Sequence, residues 1–146
     1  PKARIIHCRR DALDTCSSIF LNYLVKGHDY SFDLNELGQY YLDYDRLMRH
    51  WNSVLPDGIF AVAYEDLVMN QETATRQLIG FLGLEWDETC LDFHENERAV
   101  KTASNLQVRK PMYKDSVNKW RRYEEQLAPL VGMLEPASDK HASTSG

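Results

Sequence analysis

An arginine and a serine lie eight residues apart where an apolar segment gives way to an amphipathic one. They are Arg10 and Ser18, within the run His7 to Ser18. A guanidinium offers a fork of donors that suits phosphate, and a serine on the following helix could add a hydroxyl. Ligands of α/β sheets bind at the carboxyl ends of the strands. By itself the spacing is more typical of a surface arginine and a serine at the edge of a core.

A tyrosine ends a second apolar segment. This segment runs from Ile59 to Tyr64 and is followed by Glu65, Asp66 and Leu67. An aromatic ring at a strand's end can provide a flat platform for a purine base. Taken alone, Tyr64 also fits an ordinary tyrosine at the edge of a core.

Charge is segregated along the chain, although the net charge is only −5. Residues 1–10 contain four Lys or Arg and no acid, and residues 95–122 contain eight Lys or Arg against three acids. Two basic islands in an acidic chain favour a compact polyanionic ligand and argue against a nucleic-acid partner. Solvated surface would explain the same islands without any ligand.

The periodicity of apolar residues predicts alternating strands and helices. Strands are expected at 3–8 and 59–64, where short β-branched and apolar runs occur. Three helices are expected next. The first starts near Leu13 and is capped by Asp11, and the second runs from Leu34 to Leu55 with one apolar stripe. The third runs from Asn70 to Gly83. Residues 95–112 lack a period and resemble a ligand loop. A last helix is predicted over 117–134, with Pro129 kinking it or ending it early.

The order strand, helix, helix, strand, helix predicts an α/β fold with a parallel sheet. Two strands make a poor sheet, so an amino-terminal portion of the domain is expected to be missing before Pro1. We assign residues 1–134 to one domain and 135–146 to a disordered tail, because the tail is poor in apolar residues.

Several classes of protein are disfavoured by composition. No apolar run approaches the ~20 residues of a membrane-spanning helix, so no membrane partner is expected. Three cysteines, Cys8, Cys16 and Cys90, are too few and unpaired for a disulfide framework, and a reducing compartment is favoured. Both Cys8 and Cys16 are expected to be buried. The histidines share no ligand spacing, which argues against a metal site.

Three segments, in order, resemble sequences of sulfotransferases that use 3′-phosphoadenosine-5′-phosphosulfate (PAPS). The string CRRDALDTCSS resembles the family's 3′-phosphate-binding motif, and Arg10 and Ser18 match its two ligand positions. The string YEDL is similar to a family signature in which the tyrosine, here Tyr64, lies against the adenine.

The third segment resembles the nucleotide-covering loop and final helix of bacterial and tyrosylprotein-type sulfotransferases. It comprises TASNLQVRKPMY from Thr102 to Tyr113 and the pattern S-x-x-x-W from Ser116 to Trp120. The resemblance implies that Arg109 and Lys110 contact the 3′-phosphate or neighbouring phosphate oxygens and that Thr102 and Ser104 line the nucleotide. Trp120 is expected to be a packing anchor.

The resemblance implies a P-loop NTPase-like parallel sheet flanked by helices. The implied reaction moves a sulfuryl group from PAPS to an acceptor hydroxyl or amine and releases 3′,5′-adenosine diphosphate, without a metal. The loop for the 5′-phosphosulfate and the catalytic base have no counterpart here, so we expect the segment to be inactive alone. A bacterial, cytoplasmic enzyme is favoured. The catalytic residues, the acceptor and the oligomeric state stay open.

Two other functions fit parts of the sequence. Strands alternating with helices and basic loops also suit a P-loop kinase-like nucleotide-binding domain, although its GxxxxGK[ST] loop is absent from these residues. The tyrosine-rich helix 34–55 would also suit a non-catalytic interaction module.

Overall fold

The computed structural model describes residues 3–22, 27–95, 111–112 and 114–142, with side chains described as far as residue 135. In chain order its elements are β1 (Ile5–Arg9), α1 (Ala12–Leu21), α2 (Leu34–Val54), β2 (Ile59–Ala63), α3 (Tyr64–Met69), α4 (Gln71–Leu82) and α5 (Ala128–Ala142). Short 3₁₀ turns lie at Asp29–Phe32, Glu88–Cys90, Phe93–Glu95 and Lys119–Tyr123.

The chain divides into two compact units, each described by itself. The strand unit comprises residues 1–9 and 57–115, and the helical unit comprises residues 10–56 and 116–146. The first contains β1, β2, α3 and α4, whereas the second contains α1, α2 and α5.

The strand unit contains the predicted parallel pairing. β1 pairs with β2 in a register that runs from Ile5↔Ile59 to Arg9↔Ala63. β1 is not buried, although a short apolar run of this kind is typical of a buried strand: Ile5 is 45% and Ile6 37% exposed. Cys8 lies on the same strand and is also exposed, so its predicted burial is wrong. An α/β arrangement is therefore present, with a small two-stranded sheet.

The helices of the strand unit follow β2 directly. Tyr64 is the first residue of α3 and not the last residue of the strand, because β2 ends at Ala63. The helix predicted to end at Gly83 does so: α4 ends at Leu82, Gly83 has a φ of 70°, and Leu84 N–H donates to the Ile79 carbonyl behind it. The ring of Phe81 on α4 stacks on Phe60 of β2, with 5.1 Å between ring centroids.

The helical unit encloses the main apolar core of the described residues. The side chains of Leu37, Leu127, Leu130, Leu134 and Cys16 are almost completely buried, and Trp120 joins them at 5% exposure. Burial raises the pKa of the Cys16 thiol to about 12, with a smaller contribution from Asp11. The predicted roles of Cys16 as a buried side chain and of Trp120 as a packing anchor are confirmed.

Local chemistry explains where α1 begins. Asp11 is its N-cap, and the Asp11 carboxylate accepts the backbone N–H of Asp14 at 2.8 Å. This bond satisfies one of the N–H groups that have no partner within the helix. The predicted cap is confirmed.

The last helix differs from its prediction. Instead of ending at Pro129, α5 begins at Ala128, which places the proline in the first turn, where its missing N–H has no cost. The helix also continues to Ala142, into the segment predicted to be a disordered tail from residue 135. Ala137, Lys140 and Ala142 favour local helix whereas Pro136 disfavours it, so composition alone does not predict how far α5 extends. Residues 143–146 lie outside the described residues.

The apolar stripe predicted for α2 is only partly buried. Leu37 is 1% exposed, but Leu47, Trp51 and Leu55 are 51%, 43% and 40% exposed. The single stripe expected from the periodicity therefore includes two neighbouring faces, of which one lies against the core.

None of the described helices combines the length and apolar character that crossing a bilayer requires. Within the same described residues, histidine, cysteine and carboxylate side chains do not gather in groups of three that could hold a metal ion.

The burial of the cysteines leads to a prediction about their reactivity. In an alkylation time course at pH 8, we expect exposed Cys8 to react within minutes and Cys16 to react only after denaturant is added, because the thiolate is the reactive form and burial disfavours it. Mass spectrometry of proteolytic peptides would identify each modified site. Modification of Cys16 in the native chain at the rate of Cys8 would contradict the described core.

Candidate functional site

Arg10 lies between the end of β1 and the start of α1. One terminal nitrogen, Nη2, donates to the backbone carbonyl of Ser116 and lies 3.9 Å from Oδ2 of Asp14. The arginine side chain is 25% exposed. Its guanidinium is therefore held by groups of the protein while part of it still faces solvent.

Asp14 is the buried partner that organises this region. It is 1% exposed, and its Oδ2 accepts the backbone N–H of Asn118 at 2.6 Å while Oδ1 accepts that of Trp120 at 3.0 Å. A buried carboxylate is costly unless it is hydrogen-bonded and paired with a charge. Asp14 meets both conditions through Arg10 and the two backbone donors.

The segment 116–120 has the backbone conformation needed to serve both residues. Asn118 has φ 57° and ψ 25°, in the left-handed region that asparagine tolerates better than most residues. Its bend directs one carbonyl at Arg10 and two N–H groups at Asp14. Trp120 follows and is buried in the core, which anchors the segment. Two motifs separated by about a hundred residues are thus joined within one unit.

Ser18 lies on α1 one turn beyond Asp14. Ser18 follows Asp14 by four residues, which places the two on the same side of the helix, and the Arg10 guanidinium reaches Asp14 from the residue before the N-cap. Ser18 is half-buried, and its backbone carbonyl accepts the side-chain amide of Asn22 at 2.6 Å. By contrast, Ser17 is buried and its hydroxyl donates to the Asp14 carbonyl. Ser18 is therefore the more accessible hydroxyl of the pair.

Tyr64 belongs to the strand unit. It follows Ala63, which is paired with Arg9 at the carboxyl ends of the two strands. Tyr64 is half-buried. On β1, burial and secondarily the charge of Arg9 lower the pKa of His7 below its ordinary value.

The structure describes three of the seven predicted site residues. Arg10 and Ser18 share the helical unit, and Tyr64 lies in the strand unit. The remaining four, Thr102, Ser104, Arg109 and Lys110, lie outside the described residues. The predicted roles of Arg109 and Lys110 at the phosphate, and of Thr102 and Ser104 along the nucleotide, stay predictions.

Sequence reasoning missed the roles of Asp14 and of the Ser116 carbonyl. From its position in the sequence, Asp14 is expected only to be an acid in the first turn of a helix, where a negative charge interacts favourably with the helix dipole. The available signal was its position four residues after an arginine, the spacing of a helical ion pair. A backbone carbonyl has no signature in the sequence.

Replacing Asp14 tests how strongly it holds this region. Asp14→Asn keeps the size of the side chain, but an amide has only one oxygen. One of the two N–H donors, at Asn118 or at Trp120, therefore loses its acceptor. Because the amide is neutral, Arg10 also loses its counter-charge. We expect the free energy of unfolding in urea to fall by roughly 3 kcal/mol.

The matched control is Asp29→Asn, at an exposed acid of the same unit, which should change stability by less than about 0.5 kcal/mol. Equal unfolding midpoints for Asp14→Asn and the unchanged chain would show that the carboxylate does not hold segment 116–120.

Comparison with known proteins places the chain in a family. Residues 1–88, more than half of the chain, match the family model described as "Sulfotransferase family". A protein of Aquifex aeolicus (strain VF5), described as an uncharacterized protein, is 36% identical over 143 residues. That similarity covers 96% of this chain and 19% of the other protein, so the chain spans about a fifth of the length of the curated relative it matches.

The matched region contains β1, α1, α2, β2, α3 and α4, together with Arg10, Asp14, Ser18 and Tyr64. The helical α/β architecture with a parallel strand pair is compatible with that match. The chain therefore belongs to the sulfotransferase family.

Proposed function

We propose that this chain binds the 3′-phosphate and the adenine of PAPS, and that the protein containing it transfers the sulfuryl group of PAPS to an acceptor hydroxyl or amine. Family membership supports sulfuryl transfer in general. The observation that carries the finer proposal is the arrangement of Arg10, held in place by Asp14 and the Ser116 carbonyl, on the side of α1 that also presents Ser18.

Anchoring the guanidinium is useful for binding an anion. A flexible arginine loses side-chain entropy when it is ordered on a ligand, on the order of 1 kcal/mol or more. Arg10 is already fixed by its contacts with Asp14 and Ser116, so less of that loss remains. Asp14 has a side chain that is 0% exposed, and its two backbone bonds spread its charge, which limits its repulsion of a phosphate.

Ser18 contributes selectivity for a ribose phosphate in this proposal. Its hydroxyl can donate one hydrogen bond to a phosphate oxygen while Arg10 supplies charge-assisted bonds. These two residues would recognise the 3′-phosphate that distinguishes PAPS from ATP. Thr102 and Ser104, which would line the nucleotide, and Arg109 and Lys110, which would add two cations to the phosphate, complete the proposed donor site.

Tyr64 is proposed to lie against the adenine. It follows a parallel strand at the carboxyl end, where α/β sheets place their ligands. Stacking of a base on an aromatic ring is worth about 1–3 kcal/mol.

In the transfer step, the sulfur–oxygen bond of the donor breaks as the acceptor oxygen or nitrogen forms its own bond to sulfur, and the acceptor proton passes to a base. The leaving 5′-phosphate gains negative charge, which nearby cations would stabilise. The residues of this chain act earlier, by fixing the nucleotide so that the sulfuryl group points at the acceptor. No residue of the chain is assigned as the base.

The first experiment compares two ligands that differ in where the second phosphate lies. In thermal-shift and calorimetric titrations of the chain, we expect 3′,5′-adenosine diphosphate to bind and to raise the melting temperature, whereas 5′-ADP should bind at least tenfold more weakly. Preference for 5′-ADP would contradict the proposal and favour a kinase-like nucleotide site.

Arg10→Lys is the informative variant because lysine keeps a charge beside buried Asp14 but removes the planar fork. We expect affinity for 3′,5′-adenosine diphosphate to fall about tenfold or more, while affinity for 5′-ADP stays unchanged. Arg46→Lys, at an exposed arginine of α2, is the matched control and should change neither. Equal losses for both ligands would mean that Arg10 does not read the 3′-phosphate.

A second experiment separates recognition of the base from recognition of the phosphates. Tyr64→Ala should weaken binding of 3′,5′-adenosine diphosphate by roughly 5- to 100-fold, and Tyr64→Phe by much less, because the ring and not its hydroxyl carries the stacking. Binding of ribose 3,5-bisphosphate, which lacks the base, should be the same for all three proteins. A loss of ribose bisphosphate binding in Tyr64→Ala would contradict the assigned contact.

A further inference from the structure

Among the residues that the structure describes, Asn118 is the one residue other than glycine whose φ is positive. Its φ of 57° and ψ of 25° lie in the left-handed region. Residues with a Cβ atom adopt this region at a cost, although asparagine tolerates it better than most. Backbone strain of this kind persists where the surrounding structure requires it, and such residues concentrate at functional sites.

The side chain of Asn118 does not account for this conformation. It is exposed, and it makes no capping hydrogen bond to the 3₁₀ turn that begins at Lys119. Both of its backbone groups, by contrast, are used. The N–H donates to Asp14, and the carbonyl accepts the N–H of Arg121 at 3.3 Å. The requirement at this position is therefore for a backbone angle and not for an amide side chain.

The bend at Asn118 directs two N–H groups at one carboxylate. The backbone nitrogens of Asn118 and Trp120 lie 2.6 Å and 3.0 Å from the two oxygens of Asp14. Backbone N–H groups converge on an anion in this way in the small turns called nests, which contain a left-handed residue. With a negative φ at residue 118, the first N–H would turn away from the carboxylate that the second one faces.

The two ends of the bend are held unequally. Trp120 is 5% exposed and belongs to the core cluster, and the guanidinium carbon of Arg121 lies 4.8 Å from the centre of its ring. Ser116 is only half-buried, and its backbone carbonyl accepts a hydrogen bond from Arg10. If the bend opened, the buried tryptophan would stay in place and the Ser116 side would move. Arg10 would then lose the Ser116 carbonyl.

We propose that Asn118 is a positioning residue of the donor site. Its left-handed backbone holds the Ser116 carbonyl against Arg10, which keeps the guanidinium in place for the 3′-phosphate. This inference rests on the proposed function of Arg10. Position 118 then needs a residue that tolerates a positive φ, which asparagine and glycine do and β-branched residues do not. Contact between Asn118 and the nucleotide is not required.

The size of the effect follows from the cost of the bend. A residue that disfavours the bend lowers the fraction of chains that are ready to bind, and the apparent dissociation constant rises in inverse proportion to that fraction. The cost of the left-handed region for a residue with a bulky side chain corresponds to about 5- to 30-fold in an equilibrium constant.

The test compares Asn118→Gly, Asn118→Ala and Asn118→Val in calorimetric titrations with 3′,5′-adenosine diphosphate and with 5′-ADP. We expect Asn118→Gly to bind 3′,5′-adenosine diphosphate as tightly as the unchanged chain does, and Asn118→Val to bind it about 5- to 30-fold more weakly. Asn118→Ala should lie between them. Affinity for 5′-ADP should be the same in all four proteins, a result that a general loss of structure would not give.

The matched control is Asn52→Val, the same substitution at an exposed asparagine of α2, where the backbone is helical. It should change neither affinity. Circular dichroism should show the native helical signal in every variant. If Asn118→Val does not fold, Asn118→Ala measured against Asn118→Gly provides the same comparison.

Amide hydrogen exchange, followed by NMR without a ligand, tests where the bend opens. In Asn118→Val, we expect the amide of residue 118 to exchange faster than in the unchanged chain, and the amide of Trp120 to keep its protection. In Asn118→Gly both amides should stay protected. Unchanged protection of residue 118 in Asn118→Val would show that the bend does not depend on this residue, which overturns the proposal.

The titrations separate failure of this inference from failure of the proposed function. If the unchanged chain does not prefer 3′,5′-adenosine diphosphate to 5′-ADP, the proposed function fails and the role of Asn118 fails with it. If the unchanged chain has this preference but Asn118→Gly and Asn118→Val bind alike, only the role of Asn118 is overturned. Equally tight binding would mean that the bend is not needed, and equally weak binding would mean that the amide side chain is.

Discussion

The buried carboxylate of Asp14 is the contact on which the helical unit depends. It joins the entry of α1 to a segment more than a hundred residues later in the chain, through the N–H groups of Asn118 and Trp120. Burying this charge has a large desolvation cost, which is offset because all of its close partners are donors or a cation. The same contact fixes Arg10, so one interaction links the packing of the unit to its candidate site.

This coupling gives a physical reason for the division of roles in the motif CRRDALDTCSS. Asp11 starts the helix, Asp14 holds the distant segment, Cys16 and Ser17 face the interior, and Arg10 and Ser18 remain partly accessible. A guanidinium anchored in this way is preorganised for a compact anion. Family membership supports sulfuryl transfer in general, and the anchored Arg10 is the separate observation behind the proposed phosphate site.

Local signals in the sequence predicted local structure well. The cap at Asp11, the left-handed Gly83, the parallel pairing of the strands and the burial of Cys16 follow from residue type and periodicity. The role of Asp14 could not be predicted, because its two donors are backbone groups separated from it by 104 and 106 positions. The exposed half of α2 was missed because periodicity identifies apolar faces without showing which one a protein covers. Pro129 was misread since its effect depends on whether a helix begins or continues there.

The central claim is that the Arg10 guanidinium, fixed by Asp14, binds a ribose 3′-phosphate. The most direct measurement is a crystal structure of the chain with 3′,5′-adenosine diphosphate. The account predicts that nitrogens of Arg10 and the hydroxyl of Ser18 lie within about 3 Å of the 3′-phosphate oxygens. A bound nucleotide whose 3′-phosphate points into solvent, with Arg10 still turned only toward Asp14 and Ser116, would contradict it.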